Sequence, residues 1–507
     1  MKEEKKPFFI NWDRYLSQER WNEESVINTE KDRRNPFEVD FGKVIFCPAL
    51  RRMHDKTQVI PLSSGDCILT RLTHSLHVMN IAESLACNYT RSPEFKALYK
   101  DREDKAFEDA QYIRAILKTA SLLHDIGNPP FGHFGEDTIK NYFVNFFKPG
   151  GHNITEIELD KDEKIDFTQF DGNALGFRIV SKLQYAGRLD GLNLTYGTLG
   201  AYLKYPNEDA LVEDTDECKA YVGKHKHGIF KTERELYNKV VEKCNLRIKG
   251  KNIKRHPLAF LVEAADTICY GTMDVEDGLF QHWYGITELL DDLSSIITKL
   301  KKEESDVREI IGFDYSDDKI KETDERKVCL ELREHFITYL VDLTIRNFIS
   351  NLEKIDNGTY NNELVYDDPD YVAKALKIFT KRKILSNKNV LKFEITGNSV
   401  ITGLLDILIK YFFHPSKSYH LRLNGIISES RMAVAMKEDL SEEYPENIVI
   451  SQDEICAFDV GRLSPYARLR MIVDFVASMT DKYSVELYQT LSGNSLYFFG
   501  KSILNQT

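Results

Sequence analysis

Leu122-Leu123-His124-Asp125-Ile126-Gly127-Asn128-Pro129-Pro130-Phe131-Gly132-His133-Phe134-Gly135-Glu136 closes a helical pattern and breaks it within a few residues. Upstream, Ile113, Ile116, Leu117, Ala120 and Leu123 recur at spacings of three and four, the signature of an amphipathic helix, and Gly127 and Pro129 stop it. His124 shares the inward face with Ile113, Leu117 and Ala120, so it points into the core at a helix end. An inward imidazole followed by a carboxylate needs a partner, and the pair suits a divalent cation. The Gly-Asn-Pro-Pro break then lets the backbone turn and return His133 and Glu136 toward the same place.

Alone, a His-Asp pair reads better as a structural ion pair, so the surrounding chain has to decide. Arg71-Leu72-Thr73-His74-Ser75 opens an earlier helix, with Leu72, Leu76, Met79, Ala82, Leu85 and Ala86 in register, and supplies a second imidazole. Leu258, Leu261, Val262, Ala265 and Ile268 mark a third helix, with Pro257 at its first turn and Gly271 as its expected end. Within it, Glu263-Ala264-Ala265-Asp266 sets an acid among apolar residues, where a carboxylate costs several kcal/mol unless it is paired or binds metal. Two imidazoles and two carboxylates on three core helices read most economically as one cation site. His54, His152, His225, His227 and His256 lie in polar stretches and read as surface residues.

The remaining features set bounds. The 507 residues exceed what one core needs, which leaves one large domain with appendages or two to three domains. Hydrophobic residues at 42% and charged residues at 29% are globular values and argue against long disorder. A net charge of −12 disfavours a globally basic nucleic-acid binder while leaving room for a local basic cleft that takes a polyphosphate. Eight cysteines without a Cys-x-x-Cys pair fit reduced thiols, so a metal would use His and carboxylate. The apolar stretch Pro7–Ile10 is too short for a signal peptide. Val400–Phe413, interrupted by Asp406 and Lys410, falls short of the roughly 20 apolar residues a membrane span needs. A cytoplasmic protein with no membrane association is expected.

Helical periodicity dominates throughout. Phe147–Asp166 reads as a polar loop, Leu391-Lys392-Phe393-Glu394-Ile395 alternates like a short strand, and Ala467–Tyr483 resumes a helical pattern. The expectation is an all-α protein: a core over residues 1–285 and a mostly helical accessory or oligomerisation region over 286–507, with one short β element.

His74, then His124-Asp125, then the distant Asp266 together resemble the HD phosphohydrolase superfamily, and more closely its deoxyguanosine triphosphate triphosphohydrolases in their long bacterial form. The resemblance rests on Arg51-Arg52-Met53 with Asp55-Lys56-Thr57-Gln58-Val59, on Arg71–Ser75, and on His124–Glu136. It continues in Phe170-Asp171-Gly172-Asn173-Ala174 with Phe177-Arg178-Ile179, Leu203-Lys204-Tyr205-Pro206, Glu263–Asp266 with Tyr270, and Met479-Thr480-Asp481-Lys482-Tyr483. Two positions depart from it: His77 and Asp171 stand where the family more often has an acid and Glu, respectively.

The resemblance implies an HD-domain helical core in which His74, His124, Asp125 and Asp266 hold Mn²⁺, Mg²⁺, Co²⁺ or Fe²⁺. His133 and Glu136 would be the catalytic pair and Arg71 the phosphate-contacting arginine. Gln58, Lys204, Tyr270 and Asp274 would bind substrate; Asp266, Tyr270 and Asp274 follow one another at four-residue steps on one helical face. His77, one turn from His74, competes for the ligand role, Lys204 reads equally as a solvated lysine, and Tyr270 as a core aromatic. The implied reaction converts a deoxynucleoside triphosphate, dGTP above others, into deoxynucleoside and tripolyphosphate. Implied partners are further copies of the chain, with a hexamer as the family form, and a nucleotide or single-stranded DNA effector. The competing readings are another HD phosphohydrolase, such as a nucleotide phosphodiesterase or a guanosine tetraphosphate hydrolase, and a nucleotide- or nucleic-acid-sensing protein with a vestigial site.

Overall fold

The computed structural model describes residues 10–23, 32–59, 69–152, 154–184, 190–207, 226–248, 253–414 and 463–494. Among these residues the protein is all-α, with isolated bridges such as Thr57 to Thr70 and no sheet.

Three helices frame the centre. Thr70 caps α2 (Arg71–Arg91), which follows α1 (Pro36–Ile45), by accepting the Thr73 backbone N–H. α3 (Glu103–Leu123) carries Glu103 and Asp104 in its first turn, where they favour the positive end of the helix, and runs antiparallel-fashion against α2 in its most extensive packing. The chain then turns into α4 (Gly132–Phe146), α5 (Gly172–Ser181) and α6 (Tyr196–Tyr202). α7 (Pro257–Phe280) starts with His256 as N-cap and Pro257 at the first position, and packs on α2, α3 and α6.

Later helices close over this frame. α8 (Glu325–Asp356) lies on α7 and α2, α9 (Val372–Lys383) on α7, and α10 (Lys388–Phe412) on α4. α11 (Pro465–Ser478) and α12 (Asp481–Leu491) both pack on α10. No helix among the described residues is long and apolar enough to cross a membrane.

Several expectations change. Leu391–Ile395 is not a strand but part of α10: Val390, Val400, Ile401, Leu404, Leu405 and Leu408 are its buried stripe, and the short alternation falls at its exposed first turns. α7 does not end at Gly271 but continues to Phe280, with Gly271 against Leu376. The loop after Phe147 gives way at Asp160, which caps a short helix, Lys161–Thr168. His227 is buried beside Asp166 at 3.3 Å, and His256 is fully buried, its Nε2–H donating to the Tyr15 carbonyl at 3.1 Å. The polar flanks point to the surface for both, but flanking polarity says nothing about which long-range partner covers a side chain. His54 is exposed, His152 stacks on Phe146, and His225 lies outside the described residues. Cys47, Cys87, Cys244, Cys269 and Cys329 are free thiols, whereas Cys67, Cys218 and Cys456 lie outside the described residues.

Candidate metal and phosphate site

His124 is the C-cap of α3, and its Nδ1 lies 2.7 Å from the Ser121 carbonyl oxygen. A carbonyl only accepts, so Nδ1 carries the hydrogen and Nε2 is left to face the site. There Nε2 has no hydrogen-bond partner, and it lies 3.5 Å from Asp125 and 3.4 Å from Asp266. His74, fully buried on α2, brings its Nε2 to 3.2 Å from the same Asp266 oxygen. An imidazole tied through its far nitrogen to a carbonyl, with its free nitrogen among carboxylates, is the donor set of a divalent cation site. Ligand atoms of His74, His124 and Asp125 lie within 4.8 Å of one another, a group that includes neither His77 nor Asp266; Asp266 joins through its contacts with the two imidazoles. Burial opposes charge on His124, but the Asp125 and Asp266 carboxylates outweigh it and push the imidazole up to about 9. The field that favours a proton there favours a cation equally.

The surroundings orient this cluster. Asn128 donates its amide hydrogen to Asp125 at 2.6 Å, and buried Arg71 meets the other Asp125 oxygen at 2.6 Å. A Cβ on Gly127 would sit 2.0 Å from the Gly172 carbonyl, so the glycine is what lets α5 approach the end of α3. Phe131 and Gly132 then adopt left-handed φ of 63° and 62°. For a residue as large as Phe this backbone is strained and has to be held by its neighbours. Gly132 has no room for a Cβ, which would come within 2.4 Å of the Arg71 guanidinium.

The turn delivers His133 to the first turn of α4. Its imidazole is exposed, and its Nδ1 lies 3.1 Å from Oε2 of buried Glu136. Glu136 accepts the Gly172 backbone N–H at 2.8 Å with its other oxygen and so holds a fixed position. The Glu136 carboxylate raises the His133 pKa above its ordinary value, and His133 in turn helps keep Glu136 ionised against its burial.

His124, Asp125, Asp266, His133 and Arg71 line a cavity of about 520 Å³, joined by Gln58, Lys204 and Tyr270. Lys204 does not stand free in solvent: its Nζ is 3.7 Å from Glu263 and 3.8 Å from Asp266. The side-chain oxygen of Gln58 is buried without a partner. Asp274 continues the face of Asp266 and Tyr270 but lies behind the cavity wall, with neither carboxylate oxygen hydrogen-bonded, and burial pushes its pKa up. His74 and Glu136 are not among the residues that line the cavity; they contact Asp266 and His133, which are.

Sequence reading passed over other parts of the wall. Lys226 places its Nζ 2.8 Å from Asp171 and 3.7 Å from Glu136, adding a cation beside His133. It follows Lys224 and His225 in a polar run without periodicity, and nothing in that run distinguishes it. Tyr366, Lys377, Phe393 and Glu394 form the opposite wall from α9, α10 and the segment before them. Only the fold brings these distant residues to the cavity.

The chain matches the family description HD domain over residues 71–219 and Phosphohydrolase-associated domain over residues 453–490. It is 30% identical over 501 residues to the deoxyguanosinetriphosphate triphosphohydrolase-like protein of Listeria monocytogenes, covering 96% of this chain and 100% of that one. The protein of the same name from Pseudomonas aeruginosa is 31% identical, covering 96% and 99% of the two chains. The deoxyguanosinetriphosphate triphosphohydrolase of Klebsiella pneumoniae is 29% identical, covering 95% and 97%. With its helical frame and convergent His and Asp side chains, the chain belongs to the deoxyguanosinetriphosphate triphosphohydrolase-like family of HD phosphohydrolases.

Proposed function

We propose that the protein hydrolyses a deoxynucleoside triphosphate, with dGTP favoured, to the deoxynucleoside and tripolyphosphate. The observation that carries this reading is that one cavity is lined together by His124, Asp125 and Asp266, by Arg71, Lys204, Lys226 and His133, and by the ring of Tyr270. A nucleotide needs this combination: charge neutralisation for its phosphates, an acid near the leaving oxygen, and an apolar surface for sugar and base.

His74, His124, Asp125 and Asp266 would hold a divalent cation, Mn²⁺, Mg²⁺, Co²⁺ or Fe²⁺ by donor type, which supplies Lewis-acid polarisation of the α-phosphate when bound. Arg71, fixed by Asp125, neutralises charge that develops on the α-phosphate. Lys204 and Lys226 supply positive charge in the same cavity for the outer phosphates. His133, held protonated by Glu136, donates to the 5′-oxygen as its bond to the α-phosphorus breaks. Water supplies the oxygen that the α-phosphorus gains, and its proton balance leaves a 5′-hydroxyl on the nucleoside and an intact tripolyphosphate. Gln58 and Tyr270 contact the sugar, with Asp274 behind them. Glu394, half-buried and without an ion pair or hydrogen bond among the described residues, offers two acceptors to the N1–H and N2–H donors of guanine.

Incubation of purified protein with Mn²⁺ or Mg²⁺ and each deoxynucleoside triphosphate tests the reading. Deoxyguanosine and tripolyphosphate are the expected products, with dGTP consumed faster than dATP. Formation of dGMP and pyrophosphate, or of orthophosphate, would show that a different bond is cleaved and that another HD phosphohydrolase activity is present.

A further inference from the structure

One carboxylate near the end of the chain reaches the backbone beside the cavity. Asp481, the first residue of α12 and 1% exposed, accepts the Thr57 backbone N–H at 2.7 Å with one oxygen and the Phe131 backbone N–H at 3.0 Å with the other. Thr57 immediately precedes Gln58. Phe131 is the left-handed residue that launches the turn to His133. A second strap runs beside it: buried Lys56 donates to the carbonyls of Asn128 at 2.5 Å and Ala477 at 3.1 Å. Asn128 is the residue that holds Asp125, and the Lys56 carbonyl accepts the Arg71 backbone N–H at 2.9 Å.

We infer that Asp481 is a positioning residue for phosphoryl hydrolysis: it holds the substrate-facing Gln58 and the proton-donating His133 in one frame from a helix more than three hundred residues away. The inference rests on the proposed roles of Gln58 and His133. Its physical basis is geometric. Carboxylate oxygens accept two N–H groups at once, and the bond to Phe131 stabilises a backbone conformation that a large side chain otherwise avoids. Asparagine keeps the shape but offers only one acceptor, so one of the two N–H groups loses its partner. The freed turn then lets His133 drift, and small misplacements of a proton donor lower turnover steeply.

Asp481→Asn should keep metal content at the wild-type level, because none of the four proposed ligands contacts Asp481. Turnover should fall on the order of 10- to 100-fold, with a smaller change in KM. The decisive comparison is a double-mutant cycle with His133→Ala. Where His133 is already gone, Asp481→Asn should cost clearly less than in the wild-type background, because only its hold on the Gln58 segment remains to be lost. An equal loss in both backgrounds would assign Asp481 a purely structural role and overturn the inference. Amide hydrogen exchange over residues 53–59 and 126–134 reads the clasp without substrate. Faster exchange at Thr57 and Phe131 in Asp481→Asn is expected; unchanged exchange there overturns the inference whether or not dGTP is the substrate. If Asp481→Asn does not fold, Asp481→Glu, which keeps both acceptors on a longer stem, enters the same cycle and the same exchange measurement, with the same outcomes deciding.

Discussion

His124 and His133 lie nine positions apart and are assigned opposite uses of their protons. His124 gives its Nδ1–H to a carbonyl and leaves Nε2 for a cation, whereas His133 draws on Glu136 to keep its proton. Asp266→Ala should therefore lose metal and turnover together, as read by metal analysis and dGTP hydrolysis. His133→Ala should retain metal and nucleotide binding while losing about 10²- to 10⁴-fold in turnover. Loss of metal from His133→Ala, with retention in His74→Ala, would exchange the two assignments. The pH dependence follows from the same pair. Glu136 raises His133 above its ordinary 6.5, so the acid form is complete below that value and is lost only as pH rises through the raised one. The alkaline limb of kcat should reflect this loss. Glu136→Gln removes the main cause of the shift, and that limb should move to lower pH; an unmoved limb would assign it to another group.

Helix ends, more than helix interiors, shape the site. α3 stops at His124, α4 starts from a left-handed turn, and the first turns of α5 approach Gly127, which lies between them in sequence. Gly127→Ala should destabilise the fold by about 3 kcal/mol in denaturant unfolding, because its Cβ meets backbone that cannot yield without moving α5. A cost below about 1 kcal/mol would mean that α5 shifts freely. Part of this is legible in the sequence: the three- and four-residue spacing locates α2, α3 and α7, and the Gly-Asn-Pro-Pro break marks where α3 stops, whereas the end of α7 and the approach of α5 are not. Nor are the first turns of α10. Leu391 and Ile395 point outward, which imitates alternation, while Phe393 turns to the cavity and packs against Phe131 at 4.9 Å between ring centroids. Five residues are too few to separate a period of two from one of 3.6 when one face is a rim rather than a core.

Across the whole molecule, helices on both sides of residue 285 share one cavity: Arg71 of α2, His124 and Asp125 at the end of α3 and Asp266 of α7 line one part, while α9 and α10 supply the opposite wall. The buried Arg178 guanidinium meets Asp474 of α11 at 2.8 Å and Glu233 at 2.8 Å, tying the end of the chain to α5. Family resemblance further predicts assembly. Light scattering should give a mass several times that of the 58.7 kDa chain, and a single-subunit mass across working concentrations would remove that expectation.

The amino-acid sequence by itself determined the all-α class, the three helices that carry His74, His124-Asp125 and Asp266, and the turn that leads to His133 and Glu136. Each depends on local periodicity, on helix-stopping residues, or on the cost of burying an acid in an apolar face, and all of these act within a few residues of chain. Only the tertiary structure decided that Lys226, Glu394 and Lys377 face the cavity, that His227 and His256 are buried, and that Asp481 closes on Thr57 and Phe131. Those outcomes depend on which distant surfaces pack together. A carboxylate at residue 481 carries no local sign of the two backbone N–H groups it will meet, because their position is set by the packing of α10, α11 and α12 over the frame rather than by the sequence around it.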